Sequence, residues 1–172
     1  EIEPKDLEEA ATKVKMGRVL DGVASHMINY DEDEAFRIDE VSEQVTKEQF
    51  IADLKSHDID VVINYMPVGS QEAVEFYLGA CIEAAVPFVN CMPVFIVSDP
   101  VWEAKIKAAG IPAIGDDMRS QLGASVLSQA LQELFFNRGM HVKFHEQTNH
   151  GGNTDFLNMM DQSRLASKKI SK

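Results

Sequence analysis

DVVINYMPVGSQEAVEFYLGACIEAAVPFVNCM, residues 60–92, places an apolar run, a short turn, a helix-like segment and a second apolar run in immediate succession. The run at 60–65 is near-continuously apolar, the pattern of a parallel strand buried on both faces. MPVGS follows as a turn, with Ser70 standing where a helix N-cap belongs. Across 71–85, Val74, Tyr77, Leu78 and Cys81 recur on one helical face, and VPFVNCM then reads as a second strand. Two parallel strands joined by a helix require a right-handed crossover, so this stretch alone selects an α/β fold.

The alternation continues downstream. SDPVWEAKIKAAG (98–110) is a helix with Asp99 as N-cap, Pro100 at the first helical position and Gly110 as its stop. IPAIG (111–115) is a third strand, and GDDMRSQLGAS (115–125) leads into a helix over 121–137. MHVKFHEQT (140–148) alternates apolar and polar residues with the period of a half-exposed strand, and HGGN (150–153) turns the chain into a last helix ending SKKISK. Upstream, TKEQFIADLKSHD carries a capping box, Thr46 with Gln49, ahead of Phe50, Ile51 and Leu54 on one face. Residues 31–43 are an acidic connector, and residues 1–18 read as a short charged helix. The expected architecture is a mostly parallel sheet with helices on both faces.

The 172 residues amount to about one domain and carry a formal net charge of −12, unevenly placed. Residues 1–59 hold 16 acidic and 7 basic side chains, whereas residues 60–172 hold 12 and 9. Such a balance excludes nucleic acid and anionic membranes as partners, since both require a basic footprint. No run approaches the ~20 apolar residues of a membrane span, and no secretory signal pattern opens the sequence, so a cytoplasmic protein is expected. Cys81 and Cys91 lie in apolar segments and read as buried free thiols.

Ligands of parallel sheets bind beyond the carboxyl ends of the strands, where three loops fall: 66–70, 91–99 and 115–120. The first puts Pro67, Gly69 and Ser70 before a helix N-terminus, which suits either ordinary capping or an anion. In the third, one of Asp116 and Asp117 can face a pocket while the other caps a helix or bonds the loop backbone. Arg119 can clamp a phosphate or form a surface ion pair, but it cannot act as a base near neutrality. Asn149, Asn153 and Asp155 flank Gly151 and Gly152, where amides and a carboxylate can bond sugar hydroxyls or simply build the turn. His145 and His150 lack metal-ligand spacing, so no metal is expected. Lys168 and Lys172 share a helix face at i and i+4, an arrangement favoured by a bound anion and otherwise a solvated tail.

The blocks INYMPVGSQEA, FVNCMPVFIVSDPVW, GDDMRSQLGAS and GGNTDFLNMMDQSRLASKKISK, in this order and spacing, resemble the myo-inositol-1-phosphate synthase family of the actinobacterial type. The resemblance covers residues 60–172 closely and reaches LDG at 20–22. It implies a Rossmann-like NAD-binding domain over 1–139, with 1–59 as peripheral helices and acidic connector, and the start of an α+β catalytic and tetramerisation domain over 140–172. The implied activity is NAD-dependent isomerisation of D-glucose 6-phosphate to 1L-myo-inositol 1-phosphate, by internal oxidation, aldol cyclisation and reduction.

Carried over by position, the resemblance implies cofactor contacts at Asn64, Pro67, Gly69, Ser70, Asp116 and Ser120. It implies substrate contacts at Asn90, Asn153 and Asp155, and catalytic roles for Asp117, Arg119, Lys168 and Lys172, with Lys169 variable between the last two. Arg119 stands where the family usually has a lysine, which keeps the charge and removes proton transfer. The G-x-G-x-x-G turn expected ahead of this region is not in the sequence, so an internal fragment, inactive alone, is implied. The rival readings are a sugar- or homoserine-type dehydrogenase releasing NADH, and a non-catalytic homologue.

Overall fold

The computed structural model describes residues 14–31, 33–34, 37–118 and 122–171, with backbone alone at 171. Three parallel strands, β1 (Val62–Asn64), β2 (Phe88–Asn90) and β3 (Ala113–Ile114), form one sheet in sequential order. Helix α1 (Lys47–Ser56) precedes β1, α2 (Gln71–Ala84) joins β1 to β2, and α3 (Pro100–Ala109) joins β2 to β3. The α/β reading of 60–115 is the structure found.

Local rules set most of these boundaries. Thr46 and Gln49 close a reciprocal capping box at α1, each bonding the other's backbone N–H. At α3 the Asp99 carboxylate accepts from Val101 and Trp102 N–H, Pro100 fills the first position, and Gly110 ends the helix at φ 69°. The core lies between the helices and one sheet face. Val74, Leu78 and Cys81 of α2, Phe88 of β2, Ile106 of α3 and Leu54 of α1 meet there, with Val62 and Ala113 packed beside them. Burying an aliphatic or aromatic side chain of this size contributes about 1.5–3 kcal/mol.

Four expectations need correction. The helices α2 and α3 share one face of the sheet, because sequential strand order with crossovers of one hand returns every helix to the same side. The opposite face therefore shows Ile63 and Ile114, 51% and 68% exposed, in register through Val89, so β1 is covered on one side only. Residues 140–148 form no strand. Met140 and Phe144 are exposed, and no described strand lies alongside to supply the hydrogen-bond ladder that an alternating pattern needs.

The last helix is two: α5 (Thr154–Asn158), capped by the Asn153 side chain on Phe156 N–H, and α6 (Gln162–Ser171). Asp161 separates them by accepting from the Ser163 N–H and hydroxyl, and those bonds hold its carboxyl below the usual range. The helix expected over 121–137 is α4 (Ala124–Asn137), entered at Gly123. The charged helix read over 1–18 lies largely outside the described residues.

Candidate functional site

The carboxyl ends of the three strands carry one polar side chain each, and the structure joins them. Asn64 at the end of β1 donates from Nδ2 to Asn90 Oδ1 at 2.8 Å, and its own Oδ1 accepts from Met66 N–H. Asn90, at the end of β2, donates to Val94 O at 2.7 Å and to Asp116 Oδ1 at 2.8 Å, while its Oδ1 also accepts from Met92 N–H. All four hydrogen-bonding positions of that carboxamide are used, as burial to 1% exposure demands. Asp116, just past β3, also accepts from the Ile96, Val97 and Ser98 N–H groups and from the Ser98 hydroxyl. The Asp116 carboxylate thus bonds loop backbone.

Asp117 follows in the left-handed region at φ 71°, its N–H on Met92 O, and Met118 N–H continues to Cys91 O. Close approach explains Gly115: a Cβ there would lie 2.9 Å from Asn90 Cβ. Cys91 donates from Sγ to Met118 Sδ at 3.3 Å, and the hydrogen bond of Tyr65 with Cys91 raises the Tyr65 phenol above its ordinary value. Both cysteines are buried and unbridged, and burial pushes the Cys81 thiol up to about 12.

The first loop departs from the expected capping. Ser70 precedes α2, but its hydroxyl donates back to Pro67 O. The cap comes from Asp21, whose two carboxylate oxygens accept from Glu72 and Ala73 N–H, each at 2.9 Å. A carboxylate at a helix N-terminus satisfies free donors and meets the positive end of the helix dipole, so Asp21 occupies the place proposed for an outside anion. Arg164 of α6 holds the same turn from above. Its guanidinium donates to Asp21 O and Gly22 O, and its Cγ lies where a Cβ on Gly69 would fall, 2.6 Å away. Asn158 of α5 donates to Val68 O, and the His26 Nε2 lies 2.8 Å from Leu157 O. The carboxyl-terminal helices are therefore docked on the βα turn after β1.

A groove of about 920 Å³ opens between β1, residues 16–23 and α5, lined among others by Asn64, Tyr65, Pro67, Ser70, Asp155 and Arg164. Its size suits a nucleotide or sugar phosphate, but the α2 N–H groups that would meet a pyrophosphate are taken by Asp21. That helix end is therefore already met by a carboxylate of the chain itself.

The remaining expected residues fall as follows. Asn90 and Asp116 meet in the hydrogen-bonded chain across the strand ends, and Gly69 and Ser70 lie under Arg164. Asn153 caps α5, and Asp155 sits exposed in its first turn. Lys168 is half-buried on α6, its Nζ 3.3 Å from Met159 Sδ. Arg119, Ser120 and Lys172 lie outside the described residues. His145 bonds the Ser128 hydroxyl at 2.7 Å, and among the described residues no group of three or more metal-ligating side chains assembles. Sequence reasoning missed Asp21, Asn158 and the clamp made by Arg164, whose partners lie 51 to 143 residues away and leave no local spacing to read.

Comparison with known proteins places this geometry. Residues 123–172 match the model of the myo-inositol-1-phosphate synthase family. An inositol-3-phosphate synthase of Corynebacterium glutamicum is 44% identical over 172 residues, covering 99% of this chain and 45% of the relative. The corresponding protein of Mycolicibacterium smegmatis is 51% identical over 119 residues, covering 69% of this chain and 33% of that one. Among solved structures, the crystal structure of Ari2 superposes with a TM-score of 0.60 at 34% identity, covering 72% of this chain and 40% of the other. A myo-inositol-1-phosphate synthase-related protein from Thermotoga maritima gives 0.56 at 26%, covering 76% and 43%. The chain spans less than half the length of the curated relatives it matches. With the family model on its last fifty residues and 44% identity along nearly all of it, the chain belongs to the myo-inositol-1-phosphate synthase family.

Proposed function

We propose that this chain supplies part of an inositol-3-phosphate synthase that isomerises D-glucose 6-phosphate to 1L-myo-inositol 1-phosphate, with NAD bound and unconsumed overall. The observation that carries the reading is the 44% identity with the Corynebacterium glutamicum inositol-3-phosphate synthase across 99% of the chain. In this reading Lys168, on the same helix as the Arg164 that docks on the βα turn, is the cation that meets the sugar phosphate or moves a proton. Asp117, Arg119, Lys168 and Lys172 are assigned the catalytic roles, and Asn90, Asn153 and Asp155 the contacts with the sugar. In this reading residues 1–139 belong to the NAD-binding domain and 140–172 begin the catalytic and tetramerisation domain. The parent is then a cytoplasmic homotetramer, and the exposed apolar residues of α4 pack against the rest of the parent or another subunit.

The test is an assay of the full-length parent with glucose 6-phosphate and NAD, following inositol phosphate and NADH together. Inositol phosphate without net NADH is the expected result; steady NADH release without inositol phosphate overturns it in favour of a dehydrogenase. Arg119 favours one second reading, a homologue that has lost proton transfer at that position. Under the synthase reading the parent with Arg119 already turns over, so activity does not depend on Arg119→Lys. For a non-catalytic homologue Arg119→Lys restores nothing, and a clear gain in synthase activity refutes that reading.

A further inference from the structure

We infer that Asn64, Asn90 and Asp116 act as a single positioning ladder across the strand ends, coupling the three ligand-edge loops so that none moves independently. The inference rests on the proposed function only where turnover is measured. Each strand contributes one rung. Asn64 holds the loop after β1 through Met66 N–H, and Asn90 holds the loop after β2 through Met92 N–H and Val94 O. Asp116 anchors the far end of that second loop through three successive N–H groups and a hydroxyl.

The rungs are joined by Asn64 Nδ2 to Asn90 Oδ1 and Asn90 Nδ2 to Asp116 Oδ1, both 2.8 Å. Asn90 is the obligatory centre, since its oxygen faces one neighbour and its amide the other, an orientation that fixes the polarity of the whole chain. With Asn64 and Asn90 both buried, a rung lost at one end leaves unpaired groups at the next. Nothing in the packing requires this chemistry: apolar residues would fill the same volume, but they could not hold four loop donors on one carboxylate. The three side chains are positioning residues, whether or not a ligand also reaches them.

The ladder differs from ordinary local bonding in one measurable way, which is action at a distance. Met66 N–H touches Asn64 alone, two links from Asp116. In amide hydrogen exchange on the full protein, Asp116→Asn and Asp116→Ala are expected to speed exchange at 96–98 by about tenfold or more, and at Met66 by about threefold. Asp99→Ala is the control, because it uncaps α3 beside the ladder without touching a rung and should leave Met66 unchanged. Exchange at Met66 that stays at the wild-type rate in both Asp116 variants, or rises equally in Asp99→Ala, overturns the ladder. Should Asp116→Ala fail to fold, the near-isosteric Asp116→Asn carries the same comparison.

Turnover supplies the second readout. Asp116→Asn is expected to lower kcat by about tenfold with KM moved less than about threefold, the signature of misplaced reacting groups rather than lost binding. An unchanged kcat, or a loss confined to KM, overturns the positioning role. A wild-type full-length parent without synthase activity overturns the proposed function instead, and the exchange pair still decides the ladder.

Discussion

Helices α2 and α4 are each fourteen residues long and rich in apolar side chains, yet they end in opposite situations. Five residues of α2 are buried, including Val74, Leu78 and Cys81, whereas none of α4 is, and Leu127 and Phe136 are 62% and 58% exposed. Their intrinsic helix-forming tendencies do not separate them. What separates them is that α2 is tied at both ends to parallel strands, so the crossover lays its apolar side on the sheet. No described strand follows α4, and the segment after it runs as exposed coil. An apolar helical stripe is a demand for a partner, and only the surrounding fold decides whether that demand is met.

The contrast can be broken or sharpened by substitution. Leu78→Ala in α2 is expected to cost about 2–5 kcal/mol in urea denaturation, the transfer and cavity terms together, since its neighbours in the core cannot collapse onto the space. A loss under about 1 kcal/mol would mean that α2 is no better packed than α4. Asp21→Ala should cost about 0.5–2 kcal/mol by stripping the remote cap from α2, and Asp21→Asn less, because an amide oxygen still accepts. If Asp21→Ala leaves stability untouched, the tether between residues 16–23 and the sheet contributes nothing to α2.

The smallest effect is expected on α4, where Leu131→Ser should shift stability by no more than about 0.5 kcal/mol in a dilute, monomeric sample. A larger, concentration-dependent loss, followed by sedimentation, would show α4 covered by another subunit in solution and would erase its difference from α2.

Legibility followed sequence distance. The capping box of Thr46 and Gln49, the Asp99–Pro100 start and the Gly110 stop were readable because their partners sit within three or four residues and the geometry is fixed by helix pitch. The three strands and their parallel order were readable from alternation with helices. Ser70 shows where that reasoning stops: residue type and position both suit a cap, but a carboxylate from 51 residues upstream takes the donors instead. Likewise GDD was recognisable as a loop with two carboxylates, while the division of labour, with Asp116 on the 96–98 backbone and Asp117 turned at positive φ, depended on β3 arriving beside the end of β2. The alternating residues at 140–148 suggested a strand, but pairing is a property of two segments, and periodicity describes one.

By itself, then, the sequence determined the α/β class, the ends of α1 and α3 and the membership of a family, because all three rest on local patterns along the chain. Only the tertiary structure decided which face of the sheet is covered, that Asp21 rather than an external anion fills the α2 terminus, and that one amide or carboxylate from each strand joins into a ladder. Those outcomes depend on groups 20 to 143 residues apart meeting at hydrogen-bond distance. Such meetings follow from how crossovers stack the strands, and no window of sequence contains them.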